Sequence, residues 1–362
     1  MTAAAFSGSY QSGDVQFLLR QLPAQQFTSV ADKEALIQSG RKHYSEMLSP
    51  ESLPSGRYLQ VFEDACTANL AQMARDCLAL AGMIAASRAG DVTVVSLARA
   101  GTPVGVLVKR LLEQRFGRGA VHYSVSIARD RGIDAVALRQ IVQRHAPESI
   151  VFIDGWTGKG VISRELAQSV ARFNDEHGTA IDSGLYVLSD LAGSAACAAS
   201  EADYLIPSSI LNATVSGLVS RTVVGAPDQL HGCVYYQAFA PHDRSRQFVD
   251  AVTAAALALS LDGADLPHAA LDRAAAAATS RACLARLQQE YGVADVNLIK
   301  PGIGEATRVL LRRVPRLLLV RDPASADVRH LTLLAQEKNV PVIIDRSLPY
   351  QAVSLIRSAL DG

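Results

Sequence analysis

Apolar positions along this chain change their spacing in a regular order. Between Arg57 and Ser87, the residues Phe62, Cys66, Leu70, Met73, Cys77 and Leu80 recur at intervals of three and four, which puts them on one face of a helix. Gly90-Asp91 stops that helix, and the continuous apolar run VTVVSL opens a strand. Strand-like runs HYSVSIA, SIVFID, GLYVLSD and ADYLIPSS follow. Between them lie the helical segments VGVLVKRLLEQRF (with Pro103 in its first turn), 134–144 and VISRELAQSVARF. Short apolar strands alternating with helices predict a parallel sheet covered on both faces. Upstream, VQFLLRQL is an apolar segment and SPESLPSG a turn.

The pattern then changes. Residues 208–240 are polar, glycine-rich and poor in acids, as expected of an insertion or cap over a site. A helix near 247–260 leads into LDGADLP, a turn-rich linker, and a second alanine-rich helix spans 270–289. Alternation resumes with VNLIK, a helix over 303–313, RLLLVR, a helix over 327–338, PVIID and a helix over 349–359. The expected fold class is α/β, with a domain over 1–265 and a smaller one over 268–362.

Composition narrows the classes. The chain has 362 residues, 49% of them hydrophobic and 19% charged, which excludes a disordered polymer. Its 35 basic and 35 acidic residues exclude a strongly basic nucleic-acid binder. The zero is a cancellation, because residues 291–362 hold ten Lys/Arg and seven Asp/Glu and the remainder is net −3. The start lacks a basic region followed by an apolar run, and no apolar stretch approaches the length of a membrane span. Five scattered cysteines form neither a disulfide framework nor a zinc spacing. These features predict a cytoplasmic protein with no membrane partner; they leave its oligomeric state open.

The strongest chemical signal is SIVFIDGWTGKGVISREL. A strand ending at Asp154 runs into Gly155, Gly158 and Gly160 before a helix, where glycines let the backbone approach a phosphate and first-turn N–H groups face it. Thr157 adds a hydroxyl, Lys159 a cation, and Asp154 a carboxylate for a ribose hydroxyl or a Mg²⁺-bound water. Neither the P-loop nor the dinucleotide glycine spacing is present. A tight turn using glycine for geometry alone is the competing account. A second strand-turn-helix loop, Leu97 to Pro103, offers Arg99, Ala100, Gly101 and Thr102, and Arg129-Asp130-Arg131-Gly132 forms a basic turn after HYSVSIA. Together they suggest an extended polyphosphate ligand; a merely solvated turn is the alternative for Arg129 and Arg131.

These loops resemble those of type I phosphoribosyltransferases. The resemblance implies that Asp154 fills the acidic position, that Thr157, Gly158, Lys159 and Gly160 hold a 5′-phosphate, and that Arg99, Ala100 and Gly101 cradle pyrophosphate. The pair of adjacent acids usual in that family is reduced here to Asp154-Gly155. ARAGTP, HYSVSIARDRGID, FIDGWTGKG and LNATVSGLVSRTV together resemble, over roughly residues 5–260, the phosphoribosyltransferase-like proteins of tellurite-resistance and stress operons, some of which carry the label cysteine protease StiP. The expected fold is then a phosphoribosyltransferase-like parallel sheet with an inserted cap.

A thiol protease needs a thiolate beside a base. His231-Gly232-Cys233 is the closest such pair, and on a strand its spacing puts both side chains on one face. Cys66, Cys77, Cys197 and Cys283 read as structural. In the same region Asn212, Thr214, Ser216, Ser220, Arg221 and Thr222 surround Gly217. They would bind an acceptor molecule or satisfy their own backbone. In the C-terminal part, Lys300 to Arg308 places a glycine turn at a helix start, with Arg308, Arg312 and Arg313 on or near one face. This resembles the Pelota branch of the L7Ae-like α/β/α RNA-binding domains. The resemblance implies RNA contacts by Gly302, Gly304, Glu305, Arg308 and Arg312.

The resulting expectation is a Mg²⁺-dependent transferase that uses phosphoribosyl pyrophosphate, with Arg99, Arg129, Arg131 and Asp154 at the reacting centre. A nucleotide-sensing RNA-binding protein without turnover and a thiol protease using Cys233 and His231 are the alternatives.

Overall fold

Strand β3 (Val92–Ala98) sits inside a parallel sheet because its apolar residues are needed on both faces. In this computed structural model, which describes residues 6–23, 44–48, 50–260 and 272–357, it is flanked by β4 (Ala120–Ala128) and β6 (Ile150–Thr157). The sheet has the order β1-β4-β3-β6-β7-β8, with β1 (Gln16–Phe17) at one edge and β7 (Leu185–Asp190) then β8 (Cys197–Ser200) at the other. A short β5 (Gly132–Ile133) pairs antiparallel with β4, and β2 (Arg20–Gln21) pairs apart with β9 (Gly232–Cys233).

Helices cover both faces, and the strands alternate between two cores. Val94, Val151, Ile153 and Leu188 pack with α1 (Gly56–Ser87), α2 (Thr102–Gln114) and α5 (Ser245–Leu257). Val95, Phe152 and Val187 pack on the other face with α3 (Ala135–Val142) and α4 (Val161–His177). Burial on both faces is why these runs are continuously apolar. α1 begins where the Ser55 hydroxyl accepts the Tyr58 N–H, and α3 where Asp134 accepts those of Val136 and Ala137.

The second domain is a four-stranded sheet of order β10-β13-β11-β12, built from β10 (Ile299–Pro301), β11 (Pro315–Val320), β12 (Val342–Ile344) and β13 (Ala352–Ile356). Leu284 and Leu287 of α6 (Arg273–Tyr291) cover one face together with Tyr350. On the other face, α7 (Ile303–Arg312) and α8 (Arg329–Glu337) join a core continuous with that of the first domain.

Several expectations change. The segment expected as a helix over 349–359 is instead β13, between β10 and β11, with Ala352 to Ile356 all buried. A helix there would leave β10 without a partner and β11 paired on one side only. ADYLIPSS is not a strand; it carries a single 3-10 turn at Pro207–Ser209, and the edge strand is β8. The whole of LDGADLP (261–267) and the boundaries at 265 and 268 fall outside the described residues. Among the described residues, no helix is long and apolar enough to cross a membrane.

Candidate functional site

The two strand-end loops converge. A Cβ placed on Gly101 would lie 2.6 Å from the Ile153 carbonyl oxygen, so the β3–α2 turn rests directly on β6 and tolerates no side chain at that point. β6 does not stop at Asp154, however. It continues through Gly155, Trp156 and Thr157 and pairs with β7, so the loop proper begins at Gly158. Gly160 takes a left-handed φ of 67° before α4.

The side chains expected to grip phosphate are engaged elsewhere. Thr157 Oγ1 donates to Asp190, a carboxylate that also accepts the N–H groups of Ala192, Ser194 and Ala195. Lys159 Nζ donates to the carbonyls of Val296 (2.8 Å) and Ile299 (3.1 Å) in the second domain. Burial, with Lys300 and Arg129 nearby, lowers its pKa to about 8. Arg99 pairs with Glu51 and donates to Val219 O, and Thr102 shares a 2.7 Å bond with Ser124. Arg129 donates to Asn297 Oδ1, and Arg131 pairs with Glu46. Ala100 is half-buried in the same turn. Asp154 accepts its neighbour Gly155's N–H, and burial raises its pKa to about 7. Among the described residues, no group of three or more His, Cys, Asp or Glu is placed to hold a metal ion.

The C-terminal turn closes over this end of the sheet. A Cβ on Gly302 would meet Leu191, one on Gly304 would lie near Ser209 and Trp156, and one on Gly158 would touch Glu305. Asp203 of the first domain accepts the N–H of Ile303 (2.8 Å), the first residue of α7, and that of Gln351 (2.8 Å). It therefore caps a helix whose own N-cap, Gly302, has no side chain. Arg308 pairs with Glu305 and lies 6.0 Å from the centre of the Trp156 ring. Against the cost of burial, Arg308, Lys300 and Lys159 hold the Glu305 carboxyl below its usual range. Glycines and charges read as an RNA-facing turn thus face the first domain.

The polar residues of 208–240 spend their bonds locally. Asn212 accepts the N–H and hydroxyl of Thr214, Ser216 donates to the Asn212 carbonyl, and Ser220 donates to the Arg221 carbonyl while accepting the Val234 N–H. Glu51, which the sequence did not single out, ties this segment to Arg99 by accepting the N–H groups of Ala213 and Arg221. Despite burial, those partners keep its pKa low.

His231 directly precedes strand β9, and Cys233 is its second residue. The backbone N–H of His231 donates to Asp134 Oδ2 (2.7 Å), and its Nδ1 lies 2.8 Å from Ser126 Oγ. Ser126 donates to Thr222 Oγ1, so the proton on the ring belongs to Nδ1 and Nε2 is left as the basic nitrogen. Burial lowers the His231 pKa against the pull of Asp134. Cys233 is fully buried, and burial raises its thiol to about 12. Ser126 and Asp134 sit far from this pair in the sequence and no local pattern marks them, whereas Thr222 belongs to the polar set around Gly217.

The chain is similar to known proteins in two separate parts. Residues 8–253 match the family described as Tellurite-like stress resistance cysteine protease StiP, and residues 278–358 match the PELOTA RNA binding domain. The chain is 42% identical over 371 residues to Cysteine protease StiP of Acinetobacter baylyi (strain ATCC 33305 / BD413 / ADP1), covering 99% of this chain and 96% of that protein. This kinship overturns the expectation of a phosphoribosyl pyrophosphate-dependent transferase, since a relative aligned over almost its full length is named a protease. The bonds already made by Lys159, Arg99 and Thr157 agree with that correction. With its match over 8–253 and its near full-length relative, the chain belongs to the StiP family of cysteine proteases.

Proposed function

We propose that this protein is a cysteine peptidase in which Cys233 is the nucleophile and His231 its base. The observation that carries the reading is the 42% identity to a protein named Cysteine protease StiP across 99% of the chain. His231 supports the choice of cysteine, because it lies directly ahead of the strand that carries Cys233 and its Nδ1 bond to Ser126 frees Nε2 to take a proton. The Cys233 thiol would give its proton to Nε2, and the thiolate would attack the scissile carbonyl carbon. The imidazolium would then return that proton to the departing amine, leaving an acyl-thioester for water to hydrolyse. Asp134 and Ser126 are positioning residues.

Because Cys233 is buried and its thiol is raised to about 12, the described arrangement is a closed one. Turnover requires the packing around the buried thiol to open. Peptide release from an unstructured substrate such as casein tests the reading, with mass spectrometry to locate an acyl or alkyl adduct. Loss of release in Cys233→Ala and His231→Ala supports it; undiminished release in both would remove the pair.

A role in contacting RNA is a second reading, for the C-terminal domain, supported by its match over 278–358. Gly302, Gly304, Glu305 and Arg308 would meet RNA only after moving away from Trp156 and Asp203. A binding constant that falls steeply with salt would support backbone contact.

A further inference from the structure

Away from both sites, a cavity of about 260 Å³ opens between α1 and α5. Its walls are apolar: Phe62, Leu70 and Met73 on α1 face Phe248 and Val252 on α5. An apolar hollow of this size between two helices gives a small apolar group a place out of water. The volume lies below the usual range of drug-sized sites, about 300–1,000 Å³, which limits the occupant to a small molecule.

Two charges line the same cavity. Arg244 stands at the start of α5 with its side chain three-quarters buried, and Glu63 on α1 is about half exposed. They are loosely joined, at 3.9 Å, and the other bond from the Arg244 guanidinium is a marginal 3.5 Å contact to the Asp243 carbonyl. A guanidinium has five donors in a fork suited to a carboxylate, and the positive end of α5 adds to its field. Glu63 would repel a lone carboxylate but would accept an ammonium group.

We propose that this cavity binds a free α-amino acid with a large apolar side chain, such as leucine, methionine or phenylalanine. The carboxylate meets Arg244, the ammonium meets Glu63, and the side chain fills the space between Met73 and Phe248. A fatty acid would satisfy the walls and Arg244 but leave Glu63 opposed to its headgroup. This site is independent of Cys233 and holds whichever residue is the nucleophile.

The test is calorimetric titration of the intact protein with L-leucine and L-phenylalanine, alongside N-acetyl-L-leucine, L-leucine amide and octanoate. Saturable binding of the free amino acids is expected. Arg244→Ala and Glu63→Gln should each weaken it about tenfold or more, with circular dichroism showing an unchanged fold. N-acetyl-L-leucine, lacking the ammonium, should bind weakly to the natural protein and more tightly to Glu63→Gln, which no longer opposes its carboxylate. A cavity-filling Ala251→Trp should abolish binding. No saturation by either amino acid up to about 10 mM would overturn the proposal. Octanoate binding as tightly as leucine, with no response to Glu63→Gln, would overturn it too, in favour of a fatty-acid site.

Discussion

His231 Nδ1 lies 2.8 Å from the hydroxyl of Ser126, a residue 105 positions earlier at the far end of β4. That bond fixes the ring's tautomer and leaves Nε2 available as a base. Ser126→Ala should therefore lower kcat of peptide release about 10- to 100-fold with KM little changed, because only the base is misplaced. A structural role alone would instead reduce the amount of folded enzyme and leave kcat per active site intact. Active-site titration separates the two outcomes.

The Cys233 thiol is raised to about 12 by burial, so at about pH 8 only roughly one part in 10⁴ is thiolate. Alkylation by iodoacetamide should be slow and should accelerate about tenfold per pH unit above that point. Leu22 packs over Gly232, where an added Cβ would lie 2.5 Å from its Cδ1, and its N–H donates to the Cys233 carbonyl. Leu22→Ala should loosen the β2–β9 pairing and so raise the alkylation rate at fixed pH, read by mass spectrometry of the Cys233 peptide.

Asp154 has its pKa raised to about 7 in the folded protein by burial, from an ordinary value of 3.8. The folded state thus holds this proton more tightly than the unfolded chain. Its contribution is fully present below about pH 4 and is lost as pH rises through 7. The full difference corresponds to an upper bound of about 4 kcal/mol, reduced by partial exposure of the carboxylate. Asp154→Asn should remove this component, so denaturant midpoints of the variant should exceed those of the natural protein by more at pH 8 than at pH 4.

Asp203 holds the two domains together through the N–H groups of Ile303 and Gln351. Asp203→Ala would leave both donors buried without an acceptor, at a cost of about 2–4 kcal/mol. Amide exchange at Ile303 and Gln351 should speed up while strands β3 and β6 stay protected. The same variant should bind single-stranded RNA more tightly at low salt, because the turn from Gly302 to Arg308 is released from Trp156.

Much of the fold was legible because burial on both faces writes itself into composition. VTVVSL and SIVFID each feed two cores, and only an internal parallel strand needs that. The error at 349–359 has the opposite cause. AVSLI is equally apolar, but its role depends on β10 and β11 arriving on either side from elsewhere in the chain. At the strand ends, the chemistry of Arg99, Thr157 and Lys159 could be read from the sequence but their partners could not. Glu51, Asp190 and the carbonyls of Val296 and Ile299 are 33 to 140 positions away.

By itself the sequence determined an α/β protein with a parallel sheet, a smaller second α/β unit, glycine loops at two strand ends, and a histidine close to a cysteine in the chain. These follow from local periodicity and backbone geometry, which depend on neighbours in the chain. Tertiary structure alone decided that the basic side chains of the loops already have partners, that the glycine turn of the second domain faces the first, and that Cys233 is buried in the core. Each of these is set by which distant group supplies a hydrogen bond or excludes water, and no spacing along the chain records it.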